Sequence, residues 1–406
     1  MAVQELEARP AATVNTGQTF TPPRRTGRIG DLREQIDRLR SRLRIAVIYG
    51  GDKSAKGTVI HPTFNARPWK SYQVVAKDIA NALERLGCEY VTLFPEDMRL
   101  AERLQHEKIN IAWLNSGGVQ GYNPVSHAAA MLEMLGIPYV GHDPLTAGML
   151  DNKHVFKREL LHLNFPTVPF MTWHLGRGPF QPKVNTRFIQ TFRDYWGPFV
   201  VKPVSGRASL HVHLVENEAD LPDVVAAVYE ATGNHVMIES YLAGHEYCMA
   251  VSGPVVSRGR QLTRSSEPFV FSAIERLFEP DEKIFTSMDV RPIKEDRFRL
   301  LDPVADATEM ETLYELARKV FLEIHLESIV RLDIRADEEG RMYVIEANPK
   351  PDLKKPSAEV TSLVCAGLAD HDMDYDDLIL SILADSLDLL FSQRRGAETH
   401  LTHLLE

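Results

Sequence analysis

Polar and apolar residues alternate strictly in the first half of the stretch from Ser328 to Leu353, SIVRLDIRADEEGRMYVIEANPKPDL. Ile329, Arg331, Asp333 and Arg335 share one face, and Val330, Leu332, Ile334 and Ala336 the other, the period of a half-buried strand. Asp337-Glu338-Glu339-Gly340 reads as a turn with glycine where a left-handed residue is needed, and Arg341 to Asn348 as the returning strand. With a two-residue turn at Glu339-Gly340, Asp333 faces Glu346 and Arg331 faces Asn348; a four-residue turn keeps the same faces. Opposed Cβ atoms stand roughly 5 Å apart, so two carboxylates would repel one another. A hard divalent cation such as Mg²⁺ removes that repulsion, because it takes carboxylate and amide oxygens and keeps positions open for phosphate. The competing reading is a surface hairpin with its charges in water.

The remaining patterning alternates helix and strand periods, which predicts an α/β protein. After residues 1–30, expected to be disordered, Asp31 to Leu43 places Leu32, Ile36, Leu39 and Leu43 on one helical face, to cap the first domain or to meet a partner. Strands at 44–49, 90–94, 109–114 and 137–140 alternate with helices at 71–86, 96–107 and 125–135, predicting a small parallel sheet wrapped by helices. Its Gly50-Gly51 and Gly117-Gly118 turns fit either nucleotide binding or any strand that feeds a helix. Residues 143–161 read as helical with a break and restart at Asp151-Asn152-Lys153, and an α+β module follows: strands at 167–173, 199–203, 210–215 and 235–240, and a helix at 218–231. A strand at 247–252 precedes a charged stretch at 261–298, expected to be a lid or disordered. Helices are predicted at 306–324, behind the hairpin, and in the tail at 357–366 and 374–390.

A length of 406 residues predicts two or three domains. The formal charge of −10 argues against a nucleic-acid-binding surface. Cys88, Cys248 and Cys365 lie far apart without a CxxC spacing, and read as buried thiols in a reducing cytoplasm. No run of 18 apolar residues occurs and residues 1–30 lack an apolar core, so neither a membrane span nor a signal peptide is expected. A cytoplasmic protein is the expectation.

Lys202 follows Phe199-Val200-Val201 on a strand, where a cation wants a fixed anion such as a nucleotide phosphate, or else snorkels to the surface. In the loop beyond it, backbone N–H groups and the hydroxyls of Ser205 and Ser209 would suit the same phosphates. The segment Glu239 to Glu246 reads as a hinge whose backbone pairs with an adenine edge and whose Glu246 accepts from ribose hydroxyls. His211 and His213 form an incomplete metal site and are read as an exposed strand edge.

Together these residues resemble the ATP-grasp enzymes, and among them the D-alanine–D-alanine ligases; the resemblance covers Arg44 to Leu390 and is most specific in RLDIR…YVIEANP. It implies an ATP-grasp fold in four segments: a tail with a short helix (1–43), an N-terminal parallel α/β domain (44–150), a small α+β subdomain (151–242) and a C-terminal α+β domain carrying the metal site (243–395). Asp333, Glu346 and Asn348 would coordinate two Mg²⁺ ions (or Mn²⁺) on ATP, and Arg331 would stabilise the transferring phosphoryl group. Lys153 and Lys202 would hold phosphates, Leu242 would pair with adenine through its backbone within the segment that begins at Glu239, Glu246 would meet ribose, and Lys283 matches a lid lysine. The implied activity is ATP-dependent joining of a carboxylate to an amine through an acyl phosphate, on small amino-acid or carboxylate substrates, with homodimerisation left open. A true D-alanine–D-alanine ligase, a phosphotransferase and a non-catalytic nucleotide-binding protein are the alternatives.

Departures from the ligase pattern fall where amino acids are expected. The acidic Ser-Ala-Glu-His stretch after Gly50-Gly51 is replaced by Asp52-Lys53 and a longer loop, in which Lys53, Lys56 and His61 would attract a second carboxylate. The Gly-Glu-Asp-Gly loop becomes Gln120-Gly121-Tyr122-Asn123, and Asn-Thr-x-Pro-Gly becomes Asn348-Pro349-Lys350-Pro351-Asp352. The phosphate loop has Gly206 as its only glycine, and His211 where a glycine is usual. Substrates other than two D-alanines are therefore expected.

Overall fold

The computed structural model describes residues 27–52, 54–63, 69–279, 282–284, 297–357, 362–393, 401 and 403–405. Of the disorder expected over residues 1–30, residues 1–26 lie outside them, as does the site expectation for Lys53, while Ile29 and Gly30 already begin a helix.

The first unit is a parallel sheet in the order β2-β1-β3-β4, built from β1 (Arg44–Tyr49), β2 (Tyr90–Pro95), β3 (Ile111–Asn115) and β4 (Tyr139–Val140). The connecting helices are α2 (Gln73–Arg85), α3 (Leu100–His106) and α4 (His127–Leu135). The helix expected from Glu96 starts only at Leu100, and Glu96 itself is buried after β2. Helix α1 (Ile29–Leu39) buries Leu32, Ile36 and Leu39 in a core shared by this sheet and the C-terminal helix α10 (Tyr375–Gln393). Its apolar face thus joins the two ends of the chain.

Asn152 explains the break predicted at 151–153. It ends α5 (Pro144–Asp151), and its side-chain oxygen accepts from His154 N and Val155 N at 3.2 Å to start α6 (Lys153–His162). The second unit is an antiparallel sheet in the order β5-β8-β6-β7: β5 (Phe170–Trp173), β6 (Phe199–Pro203), β7 (His213–Val215) and β8 (Val236–Ser240). α7 (Thr186–Thr191), unforeseen in the sequence, and α8 (Leu221–Thr232) cover it with an aromatic-rich core.

The third unit is an antiparallel sheet in the order β13-β12-β9-β14-β15, with β9 (Glu246–Ser252), β12 (Phe269–Arg276), β13 (Phe298–Leu300), β14 (Val330–Ala336) and β15 (Met342–Asn348). A separate hairpin, β10 (Val255–Arg258) and β11 (Gln261–Arg264), packs on α10. The charged stretch from residue 261 is therefore not a loop throughout: β12 is a buried strand that pairs with β9, while residues 280–281 and 285–296 lie outside the described ones. Charge had masked the period, because Glu275 and Arg276 are buried. Of the tail helix expected at 357–366, residues 358–361 lie outside the described ones, and residues 362–366 form a turn and a short 3₁₀ segment, Cys365–Gly367, instead. α9 (Ala307–Glu323) lies behind the sheet as predicted, packing Leu313, Ala317 and Val320 with Val330, Leu332 and Ile334.

Strand β14 differs from the half-buried strand its alternation suggested. Its polar face is covered too, leaving Arg331, Asp333 and Arg335 only 7, 5 and 5% exposed. The turn also differs. Ala336 opposes Met342 and Asp337 N donates to Arg341 O at 3.0 Å, leaving a three-residue loop with Gly340 at φ +80°. That register alone would set Glu346 opposite Leu332 on the apolar face. A bulge at Ile345 adds one residue, so that Asp333 opposes Glu346 and Arg331 opposes Asn348. The expected pairing arises from two irregularities that cancel.

The three cysteines are free and buried. Among the described residues no helix is long and apolar enough to cross a membrane.

Candidate active site

One cavity lies between the second and third sheets, lined by Lys153, Lys202, Glu239, Glu246, Asp333 and Glu346 among others. The Asn152 cap puts Lys153 at the first position of α6, and its backbone N–H donates to Val204 O at 2.8 Å, anchoring it to the end of β6. Lys153 Nζ stands 3.1 Å from Glu346 Oε2. Behind it, Glu239 at the end of β8 bridges two buried lysines: Lys202 Nζ meets Oε1, and Lys157 Nζ lies 2.9 Å from Oε2. Lys157 also donates to Thr167 Oγ1 at 3.1 Å, and Thr167 donates to Val344 O beside the bulge at 2.9 Å. Lys202 does not snorkel; it is 4% exposed.

Burial alone would raise the Glu239 carboxyl, but Lys157 and Lys202 hold it below the usual range. Burial opposes the charge on both lysines. It prevails at Lys157, which is lowered, whereas Glu239, Glu346 and Glu246 together raise Lys202. Asp333 accepts a bidentate pair from Arg331 at 2.8 and 2.9 Å, a bond from Arg276 at 3.4 Å and one from Cys248 Sγ at 3.3 Å. Burial would raise its carboxyl; Arg276 and Arg331 instead hold it far below the usual range, fully ionised. Arg276 also binds Glu246, whose second oxygen lies 3.5 Å from Arg335. Arg335 donates to Tyr241 Oη at 3.1 Å and stacks 4.8 Å over its ring.

The structure thus gathers Lys153, Lys202, Glu239, Leu242, Glu246, Asp333, Glu346 and Ser209 at one cavity. Arg331 lies beside Asp333, and Asn348 opposes Arg331 with its Oδ1 accepting from Lys350 N at 3.2 Å. Two expected residues fall elsewhere. Ser205 is buried beneath the loop, its carbonyl taking Asn234 Nδ2 at 3.0 Å, and is not among the lining residues. Lys283 turns its ammonium outward to Glu216, offering only its carbonyl, which accepts from Arg335 at 2.9 Å. Ala208, Ser209 and His211 all have positive φ (+54°, +53° and +59°), the conformation that glycine would adopt without strain. Lys157, Arg276 and Arg335 were missed. Lys157 was discoverable, since it stands one helical turn after Lys153; Arg335 sat on the polar face of the alternation, and Arg276 was lost in the stretch read as a loop.

Asp333 and Glu346 offer hard carboxylate oxygens and Asn348 an amide oxygen, the donors that Mg²⁺ takes. Among the described residues no group of three or more His, Cys, Asp or Glu is placed to hold a metal ion, so a third side-chain donor would have to be the amide. With Asp333 held ionised, this set fits a hard divalent cation.

A further buried carboxyl lies outside this network. Glu96 is pushed up to about 7 by burial, against a hydrogen bond from Ser116 that lowers it. The folded protein therefore holds this proton more tightly than the unfolded chain. That stabilisation is complete below the ordinary value of 4.5 and is lost as pH rises through about 7. Glu96→Gln should gain on the wild type by about 1.4 kcal/mol per pH unit across this window. Melting curves from pH 5 to 8 check this, and a pH-independent difference between the two proteins contradicts it.

The same architecture recurs in solved structures. A D-alanine–D-alanine ligase from Bacillus anthracis solved with ATP aligns over 86% of this chain and 98% of its own, with a TM-score of 0.59 at 21% identity. The D-alanyl-alanine synthetase A of Vibrio cholerae covers 86% and 99%, with a TM-score of 0.62 at 16% identity. Three sheets with a cavity between the second and third define an ATP-grasp fold. Residues 160–384 match the family described as D-ala D-ala ligase C-terminus, and the chain belongs to that family. A D-alanine–D-alanine ligase of Pseudomonas entomophila is 28% identical over 346 residues, 85% of this chain and 93% of that protein.

Proposed function

We propose that this protein is an ATP-dependent carboxylate–amine ligase working through an acyl phosphate, with substrates other than two D-alanines. The observation that carries the reading is a charge surplus in a buried place. Six cations (Lys153, Lys157, Lys202, Arg276, Arg331 and Arg335) stand against four carboxylates (Glu239, Glu246, Asp333 and Glu346). In a chain of net charge −10, such a site suits a polyanion such as a triphosphate.

Lys153, Lys202 and the backbone around Ser209 hold the phosphates, with Glu239 fixing the two buried lysines. Leu242 offers its backbone to adenine and Glu246 its carboxylate to ribose. Asp333, Glu346 and Asn348 would hold Mg²⁺, which would neutralise phosphate charge as it develops. Arg331 stabilises the transferring phosphoryl group. The donor carboxylate attacks the γ-phosphorus, ADP leaves, and an acyl phosphate forms. An amine then attacks the acyl carbon, phosphate departs, a proton is lost and an amide remains. The departures in the substrate loops support altered substrates. Asp52 bonds Ser54 at 2.7 Å in an exposed turn, and Lys350 stacks 3.4 Å over the ring of Tyr72. That another member of this fold, from Enterococcus faecalis, is a D-Ala:D-Ser ligase supports a change of acceptor as well.

A screen of amino acids, dipeptides and small carboxylates tests the reading, with ADP and phosphate both measured and products identified by mass. Equal ADP and phosphate, requiring both a carboxylate and an amine, are expected. ADP without phosphate would mark a phosphotransferase. Efficient D-alanyl-D-alanine synthesis from D-alanine at about 1 mM, the usual upper KM, would overturn the substrate half of the proposal.

A further inference from the structure

We infer that Glu96 is a substrate-recognition residue, receiving a cationic group at the carboxyl ends of β1, β2 and β3. That this cation is the amine of an amino-acid substrate rests on the ligase reading above.

The order β2-β1-β3-β4 makes the chain leave β1 to one side and return on the other. In open α/β sheets, ligands settle beyond the carboxyl ends at that reversal. Gly50 follows β1 there, packed so closely that a Cβ on it would stand 2.4 Å from Lys70 O. Glu96 follows β2, its N–H donating to Tyr49 O at 2.7 Å. Its carboxyl reaches past the end of β1 to the Ser116 hydroxyl beyond β3. The second oxygen, Oε2, is buried with no hydrogen-bond partner among the described residues.

No ion pair with Glu96 is found among the described residues. Glu239, Glu246 and Asp333, equally buried, each meet an ammonium or guanidinium of the protein. A buried acceptor is kept unpaired at a cost in stability, and such groups call for an occupant. Once the carboxyl is ionised, the chemistry that satisfies it is a small cation brought by a ligand. Short links lead from this point to the metal hairpin. Asn115, beside Ser116, donates from Nδ2 to Tyr72 O at 3.1 Å; the Tyr72 ring carries Lys350 at 3.4 Å; and Lys350 lies two residues beyond Asn348. These contacts join the surroundings of Glu96 to the proposed phosphoryl-transfer site.

The test uses full-length protein with Mg²⁺ and ATP. L-alanine, D-alanine and β-alanine are each compared with propionate, their counterpart without the amine, alongside the amino acids active in the screen. The wild type should turn over an amino acid in preference to its amine-free counterpart. In Glu96→Gln its KM should rise at least about thirtyfold, with kcat falling far less, as loss of one partner of a buried charge pair implies. The Kd of a non-hydrolysable ATP analogue should not move, and Glu96→Asp should recover part of the loss. Should Glu96→Gln not fold, Ser116→Ala, which frees the other oxygen, is expected to raise the same KM. An unmoved KM, or a nucleotide Kd that shifts with it, overturns the inference. If the wild type turns over carboxylates but prefers those without an amine, this inference fails and the ligase reading stands. If it turns over none, the ligase reading fails and Glu96 is judged by thermal shift with ethylammonium at pH 8. Stabilisation of the wild type but not of Glu96→Gln supports it; no difference overturns it.

Discussion

Glu346→Gln should abolish ATP turnover, lowering it by about 10²–10³-fold or more, while the melting temperature barely moves. Among the described residues the ion pair of Glu346 is with Lys153 at 3.1 Å, and its side chain is 30% exposed, so the fold draws little from its charge. A metal held between it and Asp333 loses an anionic oxygen that an amide does not replace. Asp333→Asn should lose turnover equally but also stability, because Arg331 and Arg276 are left facing a neutral group in a buried place. Breaking such a pair costs about 3–5 kcal/mol. Turnover kinetics and melting curves of the two variants separate these effects. Activity that persists in chelator, or in either variant, contradicts the metal assignment.

The largest loss of stability should come from Glu239→Gln. One carboxylate serves two fully buried lysines, so neutralising it leaves two ammonium groups without their anion, at a cost of about 3–5 kcal/mol or more. Lys202→Ala should destabilise less, since Lys157 still neutralises Glu239, but it should weaken nucleotide binding by roughly 10- to 100-fold, the worth of a charged hydrogen bond. Because Glu239 is held below its ordinary value of 4.5, its stabilisation is full above that pH and is lost as pH falls further. Calorimetry of both variants, with a titration of a non-hydrolysable ATP analogue, gives the ranking. Unchanged nucleotide affinity in Lys202→Ala would make the lysine purely structural.

The hairpin was legible because alternation names a face whatever the exact turn. The pairing of Asp333 with Glu346 came out as expected, but through a three-residue loop compensated by the bulge at Ile345. Neither irregularity shows in the residues, since Ile345 looks like any other strand position. The break at Asn152 was visible because a capping residue sits between two helical periods. Strand β12 was not, because buried salt links put Glu275 and Arg276 on a core strand and give it the composition of a loop. The same cause hid Arg276 from the site. Ser205 and Lys283 were placed by their distance along the chain; in the structure Ser205 is buried and the Lys283 ammonium meets Glu216. Glu96 carried no signal at all. Its position depends on β1 lying between β2 and β3, which a sequence does not display.

The central claim is that a carboxylate is activated as an acyl phosphate at the Asp333–Glu346 pair. It is tested most directly by following ¹⁸O from a labelled donor carboxylate, using the acid that best supports phosphate release. The account predicts that one labelled oxygen appears in each phosphate released during amide formation, and that Glu346→Gln abolishes the transfer. Amide formation that releases phosphate without label would contradict it.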